Sequence, residues 1–169
     1  MDLSTIRIEP LGANHDRSAF SCGAPELNRY LREQAGQDAR RRVAATFIAS
    51  TDGIRVLGFY TLSATSIQLI DVPTELAKRL PRYPRLPATL LGRLATDLSA
   101  RGVGLGRFLL VDAMVRAVRN EIASFALVVD AKDEAAARFY ERESFIRMPD
   151  DVSRLVRRMD DIAALVGRR

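Results

Sequence analysis

In 169 residues the chain has one cysteine, one histidine, no tryptophan and only two lysines. The lone Cys22 excludes an internal disulfide and fits a reducing cytoplasm. With His15 as the sole imidazole, no cluster of soft ligands can assemble, so no metal centre is expected. Apolar runs of membrane-spanning length are missing, which argues against a membrane partner. The opening MDLSTIRIEP carries acids and no apolar centre, unlike a secretory signal. A cytoplasmic protein is the expectation.

What is present is ordinary globular material, 47% hydrophobic and 28% charged. This length suits a single domain over residues 1–169 with a proper core. The formal charge is +5, and because lysine is scarce nearly all the positive charge is arginine. It gathers in three places. RRR covers Arg40, Arg41 and Arg42; KRLPRYPRLP contains Lys78, Arg79, Arg82 and Arg85 without an acid; RLVRR spans Arg154 to Arg158. Such clusters suit a polyanion, either nucleic acid or an acidic protein segment, although an ordinary solvated surface also carries them.

Periodicity gives alternating strands and helices, hence an α/β or α+β fold. Strands are predicted at Thr5–Glu9, Val43–Ser50, Val56–Ser63, Thr89–Thr96, Phe125–Val129 and Arg154–Met159, with a turn at Thr51-Asp52-Gly53. PELNRYLREQAG reads as a helix with Pro25 in its first turn. A short helix fits Thr74–Leu80 within the proline-spaced loop. Leu105–Asn120 is helical and apolar except for the stripe Asp112, Arg116, Arg119, so it should be largely buried. Asp133 can cap a helix running to about Glu143, and another short helix starts at Asp160.

Between the strand ending at Thr96 and the long helix lies RGVGLGR. Its spacing is not a dinucleotide fingerprint, because Arg107 stands where the third glycine belongs, and it lacks the lysine of a P-loop. Glycines there let successive N–H groups converge and let phosphate oxygens approach without meeting a Cβ. The helix that follows turns its first-turn N–H groups and positive dipole end to the same anion. A tight turn that binds nothing has the same short motif, so context must decide.

Strand, R-x-x-G-x-G and buried helix resemble the acyl-CoA pyrophosphate loop of the GNAT N-acetyltransferases. DAKDEAAARFYERESF resembles the second signature of that superfamily. The resemblance implies a mixed, twisted sheet splayed at an acetyl-CoA cleft, with flanking helices. It implies pantetheine bonded to the backbone of Leu94, Ala95 and Thr96. Pyrophosphate would then lie on Arg101, Gly102, Val103, Gly104, Leu105, Gly106 and Arg107.

Acetyl transfer needs a neutral amine, a polarised carbonyl and a stabilised leaving thiolate. Tyr140 is the candidate for the last role, since a phenol with a pKa near 10 keeps its proton at neutral pH. Phe139, about 100° round the helix, is assigned to the core and Tyr140 to the cleft. No general base stands out. His15 reads as a surface or loop residue, and nothing brings it and Cys22 to the cofactor. A missing base favours an α-amine, with a pKa near 7.7–8.0, over lysine near 10.4. An amine beside an ester is lower still, as in aminoacyl-tRNA.

FSCGAPELNRYLREQAGQDARRRVAATFIAS, LGFYTLSATSI, PRLPATLLGRLATD and GLGRFLLVDAMVRA are similar to the GNAT toxins of bacterial toxin–antitoxin pairs, from about Phe20 to Met159. That resemblance implies acetylation of aminoacyl-tRNA, a homodimer, a ribbon-helix-helix antitoxin and operator DNA bound through the antitoxin complex. Catalysis would fall on Tyr140. Arg40, Arg41, Arg42, Lys78, Arg79, Arg82, Arg85 and Arg93 are the tRNA-facing candidates. Ser144 stands where family members usually have the glycine of F-Y-x-x-x-G-F, a position of positive φ at a helix end. Two alternatives remain at this point: a GNAT acting on a small amine or a protein N-terminus, and a non-catalytic module that senses acyl-CoA or binds nucleic acid.

Overall fold

The computed structural model describes residues 2–78, 80 and 82–167. Seven strands form a mixed sheet in the order β1-β2-β3-β4-β5-β7-β6, with helices flanking it. The strands are β1 (Arg7–Pro10), β2 (Ala45–Ser50), β3 (Gly58–Gln68), β4 (Arg85–Thr96), β5 (Ala126–Asp130), β6 (Ile146–Arg147) and β7 (Arg154–Arg158). The helices are α1 (Pro25–Arg29), α2 (Ala35–Arg40), α3 (Thr74–Ala77), α4 (Leu105–Arg119), α5 (Glu134–Arg142) and α6 (Met159–Val166). A π-helical turn, Tyr30–Gln34, joins α1 to α2. The chain divides into two compact units, Met1–Ser63 with Gly92–Ala113 and Ala64–Leu91 with Met114–Arg169.

In the first unit β1, β2 and the start of β3 pair antiparallel, from Arg7↔Ser50 and Ala49↔Gly58 outward. The turn between β2 and β3 is wider than the three residues expected. Asp52 accepts N–H bonds from Ile54 and Arg55 and a hydroxyl bond from Ser50, which holds its carboxyl down at about 2. Phe20, Leu31, Ile48 and Phe59 form the core with Tyr30 and Ala95. Phe20 meets Phe59 edge-on at 5.5 Å. At the start of β3, Gly58 lies against Leu105, Leu109 and the Ala95 carbonyl.

In the second unit β5 reads as an unbroken apolar run because it is buried on both faces; Ala126 to Val129 are each 0% exposed. It pairs parallel with β4 from Ala88↔Ala126 to Leu91↔Val129 and antiparallel with β7 from Ala126↔Arg158 to Asp130↔Arg154. Past Leu91, β4 continues to Thr96. Its start, Arg85, falls four residues earlier than predicted. The proline spacing suggested a loop, but Leu86 and Ala88 alternate into a core with Val128, Met148 and Val156. Pro87, unable to donate, uses its carbonyl to accept the Phe125 N–H at 2.8 Å.

Other boundaries moved for local reasons. Asp2 caps a 3₁₀ turn at Leu3–Thr5, delaying β1 to Arg7. α4 is buried as its pattern required, with Leu105, Leu109, Leu110, Ala113, Met114 and Ala117 inside. Its predicted polar stripe is partly internal too, because the Tyr60 hydroxyl donates to Asp112.

Replacing Gly58 by alanine would set a Cβ 2.9 Å from the Leu109 methyl and 3.1 Å from the Ala95 carbonyl. Overpacking of this kind costs about 1–3 kcal/mol. Urea unfolding of Gly58→Ala should show a lower midpoint with an unchanged slope.

Candidate active site

The cofactor-loop candidates belong to the first unit. After β4, Asp97 heads a 3₁₀ turn at Leu98–Ala100 by accepting the Ser99 N–H at 3.0 Å. The chain then passes through Gly102 at φ +76° and Gly104 at φ +84°, left-handed conformations that a side chain would strain. Beside Gly102 a Cβ would meet nothing within 4 Å, so backbone conformation, not crowding, requires this glycine. α4 opens at Leu105, and its first helical bond runs from Phe108 N–H to the Gly104 carbonyl at 3.0 Å. Leu105, Gly106 and Arg107 supply the first-turn N–H groups of α4, at the end where a helix presents donors rather than acceptors. They are the groups an anion would meet, at the positive end of a 15-residue helix. Of the strand candidates, Leu94 and Thr96 are half-buried and Ala95 is buried. The Arg101 guanidinium donates to the Cys22 carbonyl at 2.6 Å.

Tyr140 belongs to the second unit, on α5. Asp133 caps this helix as expected, accepting the Ala136 N–H at 2.8 Å. The assignment of the two aromatics needs correction. Tyr140 is 6% exposed, whereas Phe139 is only half-buried. Tyr140 shares the inward face of α5 with Ala137, and its ring packs edge-on between Phe139 at 5.1 Å and Phe145 at 5.7 Å. Burial, and after it the Asp130 carboxylate, push its phenol well above the ordinary value. This group keeps its proton across the whole working pH range.

α5 is held from several sides that the sequence did not disclose. Arg147 in β6 reaches back with four contacts of 2.6–3.2 Å to Glu134 and Glu141. The two glutamates are seven residues apart, two turns along one face, a spacing that could have flagged them. Arg157 in β7 donates to the Glu143 carbonyl at 2.7 Å, at the end of α5. Arg154 binds Asp130 through two nitrogens at 2.8 and 3.0 Å. Ser144 adopts φ +65°, the conformation usually given to glycine. The chain exits through Phe145 N–H bonded to the Tyr140 carbonyl at 3.1 Å.

Among the basic candidates, Arg40, Arg41 and Arg42 are exposed at the end of α2, and Lys78, Arg82 and Arg85 are exposed in the second unit. Arg79 lies outside the described residues. Arg93 is half-buried, its guanidinium 3.5 Å over the Tyr30 ring, while the Tyr30 hydroxyl donates to Asp38. His15 lies in a loop but is buried. Gly12 N–H donates to its Nδ1, which leaves the proton on Nε2, 2.9 Å from Glu9. Cys22 faces the Ala24 carbonyl, so the two do not form a nucleophile–base pair. No metal-holding cluster occurs among the described residues, and no helix there is long and apolar enough to cross a membrane.

A tRNA-acetylating toxin of Mycobacterium tuberculosis is 36% identical over 154 residues, covering 90% of this chain and 91% of the relative. The chain belongs to the GNAT family of tRNA-acetylating toxins. The family described as FR47-like protein matches residues 75–155, which contain both the glycine loop and Tyr140. Two solved toxin structures share this GNAT fold. AtaT complexed with acetyl-methionyl-tRNAfMet has a TM-score of 0.87 and 30% identity, over 95% of this chain and 99% of that one. A tyrosine-to-phenylalanine mutant of AtaT, bound to acetyl-CoA and the C-terminus of the antitoxin AtaR, has a TM-score of 0.81 and 26% identity. It covers 96% of this chain and 98% of its own.

Two outcomes follow from the α5 geometry. Ser144→Gly removes a left-handed side chain worth about 1 kcal/mol and should raise Tm by about 2–4 °C in calorimetry. In a spectrophotometric titration of the four tyrosines, the component lost in Tyr140→Phe should lie above pH 10. The sign is fixed: above pH 10 an unfolded tyrosine releases a proton that buried Tyr140 retains, so this group's contribution to stability falls as pH rises.

Proposed function

We propose that this chain, as a single acetyltransferase domain over residues 1–169, transfers acetyl from acetyl-CoA to the α-amino group of aminoacyl-tRNA and so blocks translation. The observation that carries the reading is the left-handed pair Gly102 and Gly104 opening onto α4. The backbone from Gly102 to Arg107 holds the diphosphate, and Leu94, Ala95 and Thr96 bond the pantetheine arm. Arg40, Arg41, Arg42, Lys78, Arg79, Arg82, Arg85 and Arg93 face the tRNA, with Arg93 braced on Tyr30 so that less side-chain freedom is lost on contact.

The amine nitrogen attacks the thioester carbon, the carbon–sulfur bond breaks, and sulfur takes the Tyr140 hydroxyl proton. The proton lost by the amine passes to water, and the phenolate is reprotonated from solvent. Burial keeps the Tyr140 hydroxyl protonated and so present as a donor to the leaving sulfur, while making it a weaker acid than a free phenol. An ester-activated α-amine is neutral often enough at pH 7 to react without a protein base.

The same reading makes the toxin a cytoplasmic homodimer, neutralised by a ribbon-helix-helix antitoxin whose complex binds operator DNA. It is supported by the AtaT relative bound to its antitoxin's C-terminus and by the basic surface clusters.

Tyr140→Phe should lower kcat for aminoacyl-tRNA acetylation by about 10²–10⁴-fold with acetyl-CoA affinity retained, and should relieve growth arrest on expression. A variant as active and as toxic as the parent would remove Tyr140 from the chemistry. A sensor module would keep its ligand binding and show no acetyl transfer in either form.

A further inference from the structure

Arg101 is a cofactor-loop candidate, yet its side chain, like that of Asp97 four residues earlier, turns to a different segment. Asp97 is 6% exposed, and its Oδ2 accepts the Ser21 N–H at 2.9 Å. Its Oδ1 accepts the Ser99 N–H at 3.0 Å and the Ser99 hydroxyl at 2.5 Å. Leu98 N–H donates to the Ser21 carbonyl at 2.8 Å. Arg101 Nη2 donates to the Cys22 carbonyl at 2.6 Å and passes where a Cβ on Gly23 would stand, 3.2 Å away. Cys22 N–H in turn donates to Asn28 Oδ1 in α1. Burial favours the neutral form of Asp97, but the Ser21 and Ser99 hydrogen bonds outweigh it and hold the carboxyl below its ordinary range. A carboxylate that accepts three bonds in a buried site is a fixed point, not a solvated surface group.

The residues fastened in this way lead in two directions. Asp97 to Arg101 is the approach to Gly102 and α4, and Ser21 to Ala24 is the approach to α1, the π-helical turn and α2 with Arg40 at its end. We propose that Asp97 and Arg101 are positioning residues that lash Ser21–Cys22 to the turn ahead of α4, so that filling the glycine loop and ordering the α1–α2 approach are coupled. The inference rests on the reading that Gly102–Arg107 holds a diphosphate. It makes the Arg101 side chain a strut to the Cys22 carbonyl, not a phosphate ligand. Coupling of this kind is reciprocal: a ligand that orders the loop protects the approach segment, and loosening that segment weakens the ligand.

Cys22 is the only cysteine and is 5% exposed, so its thiol reports on the fastened segment without any labelling mutation. The rate of its reaction with Ellman's reagent measures local opening. Desulfo-coenzyme A supplies the diphosphate without a competing thiol, and calorimetry records its binding in the same samples. In the parent, saturating ligand should slow Cys22 modification about tenfold. Arg101→Met, at an exposed position that folding tolerates, should raise the unliganded rate about tenfold through loss of a charge-assisted bond, and ligand should then give little protection. Asp97→Asn should act the same way and more strongly. Ligand that binds without protecting Cys22, or Arg101→Met with the parent's unliganded rate, overturns the coupling while leaving the loop reading intact; the latter result with weakened binding makes Arg101 a phosphate ligand. If calorimetry shows no binding to the parent, the loop reading falls and this inference falls with it.

Discussion

The constraint on which the rest depends is backbone chirality at the end of β4. Two residues, Gly102 and Gly104, take positive φ within three positions, and a side chain at either would be strained. That geometry turns the strand into α4, whose first turn starts at Leu105. It also fixes where Asp97 and Arg101 sit, and hence their bonds to Ser21 and Cys22. A chain that used three glycines here only to turn a corner would have no need to fasten the corner to a distant segment.

The helix that carries Tyr140 follows a different rule. α5 carries a buried phenol on a short element of modest intrinsic stability, so its position comes from its surroundings. Asp133 fixes the start, Arg147 grips Glu134 and Glu141 along the exposed face, and Arg157 meets the Glu143 carbonyl just past the end. Single exposed ion pairs contribute little, but a planar guanidinium shared by two carboxylates is directional as well as attractive. Phe139 and Phe145 hold the ring itself. Ser144 in a left-handed conformation is tolerated because these contacts over-determine the exit from the helix.

Much of this was legible in the residues, and the division is physical. Local chemistry could be read: the Asp133 cap, the doubly buried β5 run, the apolar α4 and the glycine turn all depend on neighbours within a few positions. The family was legible as well, since its motifs are local. Contacts distant in sequence could not be read. Nothing near Asp97 announces Ser21, and nothing near Tyr140 announces Arg157. Periodicity separated Phe139 from Tyr140 by direction, but only packing decided that Tyr140 is the deeper of the two. His15 lies in a loop as read, but only packing shows it buried there, where Glu9 and the Gly12 N–H satisfy it. Even β4 began early, because alternation of Leu86 and Ala88 into a core outweighed the local preference of proline.

A crystal structure with coenzyme A tests the central claim most directly. The account requires both phosphates of the diphosphate within hydrogen-bonding distance of backbone N–H groups between Gly102 and Arg107, with the Arg101 side chain still on the Cys22 carbonyl. A fully occupied coenzyme A whose diphosphate lies away from those amides would contradict it.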